Sequence, residues 1–188
     1  MGLTSLAQTR ESRSLIARCG EGQDAAFEEV FRLYGPDIYR VARRMTGSHD
    51  DADDVLQDTF VKAFERIHEV DRDANIRRWL LTIAINTCID RRRRRRLSIV
   101  ELTVDPPSDE GRPDRVVLAG ELNAHLERAI GMLKGRQKAC FVLHELEEMK
   151  VTDVAATLGC STGAVKSYLH RARETLRAYL GPYLGPTS

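Results

Sequence analysis

Apolar residues recur along this chain at intervals of three and four, and no stretch alternates convincingly with period two, so the pattern predicts helices alone. A weak helix is expected over residues 5–19, carrying Leu6, Leu15 and Ile16 and broken by Gly20 and Gly22. Asp24 is placed to cap a second, with Phe27, Val30, Phe31 and Tyr34 on one face and Gly35-Pro36 at its end. Ile38, Val41, Ala42 and Met45 make a third stripe, closed by Gly47. Ser48 is a natural N-cap for a fourth, whose stripe is Ala52, Val55, Leu56, Thr59, Phe60, Ala63, Phe64 and Ile67. After a gap, periodicity resumes with Leu118, Leu122, Leu126, Ala129, Ile130 and Leu133, and a segment over about 136–148 follows. Two helices joined by a turn at Cys160-Ser161 complete the pattern.

One stretch departs from simple amphipathicity. Over about 75–90, Trp79, Leu80, Leu81, Ile83, Ala84, Ile85, Cys88 and Ile89 would cover most of a helical cylinder, which predicts a largely buried helix. Only a narrow polar line interrupts that cover: Arg78, Thr82 and Asn86 stand four residues apart and share a face. Six arginines, Arg91 to Arg96, follow directly. A like-charge run alone is usually just a solvated exit. Joined to a donor line it suits a single nucleic-acid strand, whose backbone lies on cations while its bases enter pockets or stack. Trp79 is either a stacking platform or, as is commoner for a lone tryptophan beside leucines, core.

Composition changes near Leu97. ELTVDPPSDEGRPDR, residues 101–115, holds three prolines, one glycine and five acids, which excludes a helix or a core and predicts an extended acidic tether. The expected fold class is therefore all-α: two small helical domains joined by a flexible acidic linker, the second a helix-turn-helix (winged-helix-like) domain. The expected boundaries are 1–97, a linker over 98–117, 118–181, and a tail over 182–188. With a net charge of +1 over 188 residues there is no global field, so any nucleic-acid binding rests on local patches. The four cysteines have no metal or disulfide spacing and are expected to act as small apolar residues in a reducing cytoplasm. The N-terminus lacks a signal-peptide apolar run, and no apolar stretch is long enough to span a membrane.

Two constellations carry candidate chemistry. In residues 152–173, Val154, Ala155 and Leu158 form the inner face of a short helix, Gly159 permits a tight turn, and Ser161 can cap the next helix. Val165, Leu169, Ala172 and Leu176 then face inward, leaving Lys166, Ser167, His170, Arg171 and Arg173 outside. This is the pattern of a helix-turn-helix whose second helix enters the major groove. The other constellation is acidic: Asp50, Asp51, Asp53, Asp54 and Asp58, with Gln57. Clustered carboxylates could bind Mg²⁺. Acids in a first helical turn are equally what the helix dipole favours, and no phosphate-binding glycine loop accompanies them. The simpler expectation is an exposed face that docks a basic partner.

Four motifs in order, AFEEVFRLYGPDIYRVARRMTG, DADDVLQDTFVKAF, IRRWLLTIAINTCIDRRRR and VTDVAATLGCSTGAVKSYLHRARETL, resemble bacterial sigma factors of the extracytoplasmic-function (ECF, group 4, sigma-70 family) type. The resemblance covers about residues 24–96 and 118–180. It implies a non-enzymatic, cytoplasmic transcription initiation factor without cofactors or membrane insertion. Its expected partners are core RNA polymerase, docked through the clamp of its largest subunit, promoter DNA, and an anti-sigma factor. It further implies polymerase binding by Asp51, Asp54, Gln57 and Asp58. Contacts to the melted −10 strand would come from Asn75, Arg78, Thr82, Asn86, Arg91 and Arg92. Contacts to the −35 duplex would come from Ser161, Lys166, Ser167, Tyr168, His170, Arg171 and Arg173. The linker would thread toward the polymerase active-site cleft. The family usually has Gly-Thr-Val and an arginine two residues after the lysine, where this chain has Gly163-Ala164-Val165 and Tyr168. That removes a hydroxyl and a cation from the groove-facing end. Two other classes fit parts of the chain: a free-standing helix-turn-helix regulator acting as a dimer on a palindrome, and a Mg²⁺-dependent helical enzyme using the aspartates.

Overall fold

The computed structural model describes residues 14–71, 73–101 and 119–183, and every regular element among them is helical. The predicted linker over 98–117 begins inside a helix that runs to Glu101, and its remainder, with the predicted positions Leu6 and Leu118, lies outside the described residues. The chain divides into two compact units, Met1–Cys88 and Ile89–Ser188.

The first unit contains α1 (residues 14–20), α2 (Asp24–Thr46), α3 (His49–Arg66), a 3₁₀ turn (Ile67–Glu69) and the start of α4 (Ile76–Glu101). Its core brings together Leu15 and Ile16 of α1, Val30, Ile38 and Val41 of α2, Val55 and Phe60 of α3, and Ile76, Leu80, Leu81 and Ile85 of α4. Local chemistry sets the element ends. Ser48 Oγ accepts from Asp51 N at 3.3 Å, capping α3. Gly47, at φ 81°, takes the left-handed position that closes α2 and sends its N–H to Arg43 O at 2.9 Å.

Several expectations are corrected here. Gly35-Pro36 does not end a helix: α2 runs 23 residues through it. Proline's fixed φ is helical and its cost is one lost hydrogen bond. That loss is offset because the two apolar stripes on either side, Val30 and then Ile38, Val41 and Met45, are buried in the same core. Gln23, not Asp24, occupies the N-cap of α2, leaving Asp24 in the first turn, where a carboxylate favours the dipole. Phe64, expected inside, is 57% exposed and packs edge-on against Phe27 with ring centroids 5.1 Å apart. The arginine run does not end α4, which continues to Glu101. Arginine is a good helix former, and extending an existing helix needs no new nucleus.

The second unit is built on α5 (Ala119–Met132), α6 (Gly135–Phe141), α7 (Val151–Leu158) and α8 (Thr162–Leu180). Ala129, Ile130, Leu133, Phe141, Ala172 and Leu176 form one core cluster. Val154 and Leu158 of α7 and Val165 and Leu169 of α8 are buried as well. Gly159, at φ 59°, ends α7, and Ser161 Oγ accepts from Ala164 N at 3.1 Å to start α8. The expected single helix over 136–148 is instead α6 followed by a π-helical turn, Val142–Leu146. Beyond it Glu148 stands at φ 53°, the one non-glycine in the left-handed region among the described residues. Three of the four cysteines, Cys19, Cys88 and Cys140, are buried and Cys160 is half-buried, and none of them is in a disulfide. Burial and the neighbouring Cys160 thiol push Cys140 up to about 12, against a smaller lowering by Arg136, so its thiol is inert at neutral pH.

Glu148 holds a backbone conformation that glycine adopts without a Cβ penalty. Glu148→Gly should therefore stabilise the chain by roughly 0.5–1 kcal/mol in urea unfolding. A destabilisation would show that the glutamate side chain compensates for its own strain.

Candidate nucleic-acid and polymerase interfaces

The amino-terminal half of α4 is buried around most of its circumference. Ile76, Leu80, Leu81, Ala84 and Ile85 are all 1% exposed or less, and Thr87 and Cys88 are buried beside them. Two polar tethers hold its sides. Arg77 Nε donates to Asp37 Oδ2 of α2 at 2.8 Å, and Lys62 Nζ of α3 donates to Thr87 Oγ1 at 2.9 Å. What remains outside is the predicted line. Arg78 and Asn86 are exposed, Thr82 is half-buried between them, and neither the Arg78 guanidinium nor the Asn86 amide has a hydrogen bond among the described residues. Thr82 Oγ1 donates back to Arg78 O at 2.9 Å. Trp79 and Ile83 are half-buried, and Trp79, two turns before Asn86, shares its face, so Trp79 is a partly open ring rather than core.

Asn75 has a local task. Its Oδ1 accepts from Arg78 N at 2.9 Å, capping α4. The first turn of α4 has no acid and two arginines, Arg77 and Arg78, although a cation there opposes the helix dipole. In the arginine run Arg91 and Arg92 are half-buried, and Arg92 Nη1 donates to Leu133 O at 3.2 Å. Arg93, Arg94 and Arg95 are exposed.

On α3, Asp54 and Gln57 are exposed and Asp51 and Asp58 half-buried. Asp51 lies beside the Ser48 cap, where a negative charge complements the helix dipole. Among the described residues no group of three His, Cys, Asp or Glu side chains is arranged to hold a metal ion, which leaves the Mg²⁺ reading without a ligand set. Val61 on this face escaped the sequence reading, and Phe64 was expected inside. Val61 is 58% exposed and Phe64 lies beyond it, so the acidic face continues into an apolar one. Val61 stands three residues after Asp58, so helical spacing alone could have found it.

On α8, Lys166, Ser167, His170 and Arg171 are exposed and mutually adjacent by helical spacing. Tyr168 is half-buried. The Ser161 hydroxyl is occupied as the N-cap. Arg173 is engaged within the unit: Nε and Nη2 both donate to Glu145 Oε1, at 3.1 and 2.6 Å. His170 Nε2 lies 3.4 Å from Glu174 Oε1. Four of the seven predicted duplex-reading side chains are thus presented together, and three are half-buried or already bonded.

Residues 30–97 match the Sigma-70 region 2 family and residues 124–176 match Sigma-70, region 4. The chain is 31% identical over 174 residues to the ECF RNA polymerase sigma factor SigM of Mycobacterium tuberculosis, covering 92% of this chain and 86% of that protein. The chain belongs to the ECF RNA polymerase sigma factors. It is also 30% identical to ECF sigma factor SigE of Mycolicibacterium smegmatis, over 87% of this chain and 65% of that longer protein. Among solved structures, the sigma factor RpoE in complex with the anti-sigma factor NepR from Bartonella quintana is similar. It matches at TM-score 0.68 and 28% identity, over 82% of this chain and 96% of that one. As a sigma factor the protein directs transcription initiation by core RNA polymerase at promoter DNA. No helix among the described residues is long and apolar enough to cross a membrane.

Asp37 is the titratable group in this region with a resolved shift. Burial alone would raise its pKa, but the hydrogen bonds from Arg77 and then Arg40, with their charges, hold it below the usual carboxylate range. A lowered folded value means stability that is present above the unfolded pKa and lost as pH falls through the folded one. The melting-temperature gap between the wild-type chain and Asp37→Asn should therefore be open at pH 7 and close on acidification below about pH 4. A gap independent of pH would contradict the ion-pair assignment.

Proposed function

We propose a division of labour inside this sigma factor. The exposed line on α4, with Arg78, Thr82 and Asn86, captures the melted −10 strand. The exposed face of α8, with Lys166, Ser167, His170 and Arg171, reads the −35 duplex. The α3 face of Asp54, Gln57 and Asp58, extended by Val61 and Phe64, docks on the clamp of the largest polymerase subunit. One observation carries the α4 assignment: a helix buried on its other sides leaves Arg78 and Asn86 outside with no hydrogen-bonding partner for either side chain among the described residues. Such a line is too recessed to enter a groove as a helix must, yet open enough to receive splayed bases. Binding the opened strand in preference to the duplex shifts the melting equilibrium and needs no chemistry from the protein. The protein is accordingly not an enzyme. Promoter DNA and core polymerase place its work in the cytoplasm, and an anti-sigma factor, as in the RpoE–NepR complex, is its further partner.

The remaining assignments rest on geometry of the same kind. The adjacent cations and hydroxyl of α8 suit guanine edges and phosphates. Asn75, Ser161 and Arg173 contribute by capping helices and bracing α8, with any nucleic-acid contact secondary to those tasks. Exposed apolar residues beside acids on α3 fit a partner surface that is basic and partly apolar.

Two variants separate the proposed surfaces. Asn86→Ala should shorten open-complex lifetime severalfold while the dissociation constant for core polymerase stays unchanged. Equal lifetimes would remove the strand-capture assignment. Asp54→Arg combined with Asp58→Arg should weaken core binding by tenfold or more. An unchanged dissociation constant would move the docking face elsewhere.

A further inference from the structure

The exposed line on α4 is useful only if the helix cannot turn about its own axis. On a helix about 10–12 Å across, a rotation of 20° carries an outward side chain roughly 2 Å sideways, enough to lose a hydrogen bond to a base. Arg77 stands nine residues before Asn86, two and a half turns, and so projects from the opposite side of the helix. There it meets Asp37. The two carboxylate oxygens are used separately: Oδ2 accepts from Arg77 Nε at 2.8 Å and Oδ1 from Arg40 Nη2 at 2.8 Å. Arg40 lies on the same helix as Asp37, three residues on, so it fixes the carboxylate before the carboxylate fixes Arg77. We propose that Asp37 is a positioning residue for strand capture, holding the rotation of α4 through Arg77 so that Arg78 and Asn86 face the unpaired bases.

Three observations support this beyond the contact itself. Asp37 and Arg77 are 40 residues apart, so the bond joins α2 to α4 and is not a local helix pair. Arg77 sits in the first turn of α4, where a cation costs stability against the helix dipole, and the Asp37 carboxylate offsets that cost. Both partners are only about a third exposed, at 33% for Arg77 and 30% for Asp37, so solvent screens the pair less than an open surface bridge. The Lys62–Thr87 hydrogen bond grips the helix further along. Two tethers at different heights resist rotation where one would act as a pivot.

The inference rests on the strand-capture reading of α4, and the test keeps the two apart. Holoenzyme is assembled from core polymerase and the full chain, and open-complex lifetime under heparin challenge is measured on a promoter from which the wild-type holoenzyme initiates. Asp37→Asn should shorten the lifetime severalfold, with core affinity unchanged and the assay well below the variant's melting temperature. Arg77→Ala added to Asp37→Asn should cost little more, and the exchange Asp37→Arg with Arg77→Asp should restore a substantial part of the lifetime. If Asn86→Ala shortens the lifetime and Asp37→Asn does not, the positioning role is wrong and strand capture stands. If neither variant changes it, strand capture itself is wrong and the inference goes with it. If Asp37→Asn lowers core affinity and lifetime in equal proportion, Asp37 merely stabilises the unit and the proposal is overturned.

Discussion

The burial of α4 on all sides but one governs the amino-terminal unit. A helix with that much apolar surface must be enclosed by neighbours; α2 and α3 bond to it through Asp37 and Lys62, and Leu15, Ile38, Val41 and Val55 are fully buried in the same unit. Enclosure makes the helix rigid. It also means that each side chain left outside is outside for a reason other than stability. Arg78 and Asn86 contribute nothing to the core, and Arg78 sits where its charge opposes the helix dipole. Their exposure without a task in the core is the observation on which the proposed strand capture rests.

The second unit solves a different problem with fewer residues. Its core is centred on Ala129, Ile130, Leu133 and Phe141 against Ala172 and Leu176, so α8 is held by its inner face while Lys166, Ser167, His170 and Arg171 stay exposed. The backbone is irregular just before α7, with a π turn followed by Glu148 in the left-handed region. Lys150 then starts α7 without a side-chain cap. Arg173 reaches from α8 to Glu145 inside the π turn and joins the two.

Much of this was legible in the sequence because it is local. The caps at Ser48 and Ser161, the left-handed glycines Gly47 and Gly159, and the apolar stripes of α3 and α8 all follow from residues within a turn or two of each other. The polar line of α4 was legible for the same reason, since four-residue spacing fixes a face. What could not be read is non-local. Nothing near Pro36 says that the apolar stripes on either side of it share one core and keep the helix whole. Nothing near Asp37 names Arg77, and the capping bond from Arg78 N to Asn75 Oδ1 shows only in the folded chain. Phe64 fitted an inward stripe, yet its place at the end of the packed region leaves it more than half exposed.

The central claim is that two small helical units choose a start site jointly, one taking unpaired bases and the other intact duplex. Transcription by core polymerase with the purified chain, on a pool of templates with randomised upstream sequence, tests it most directly. The account predicts initiation confined to templates sharing two separated sequence blocks, with the block nearer the start site dispensable in its duplex form when that region is supplied already melted. Unselective initiation, or tight duplex binding by the chain alone with no effect on where polymerase starts, would contradict it.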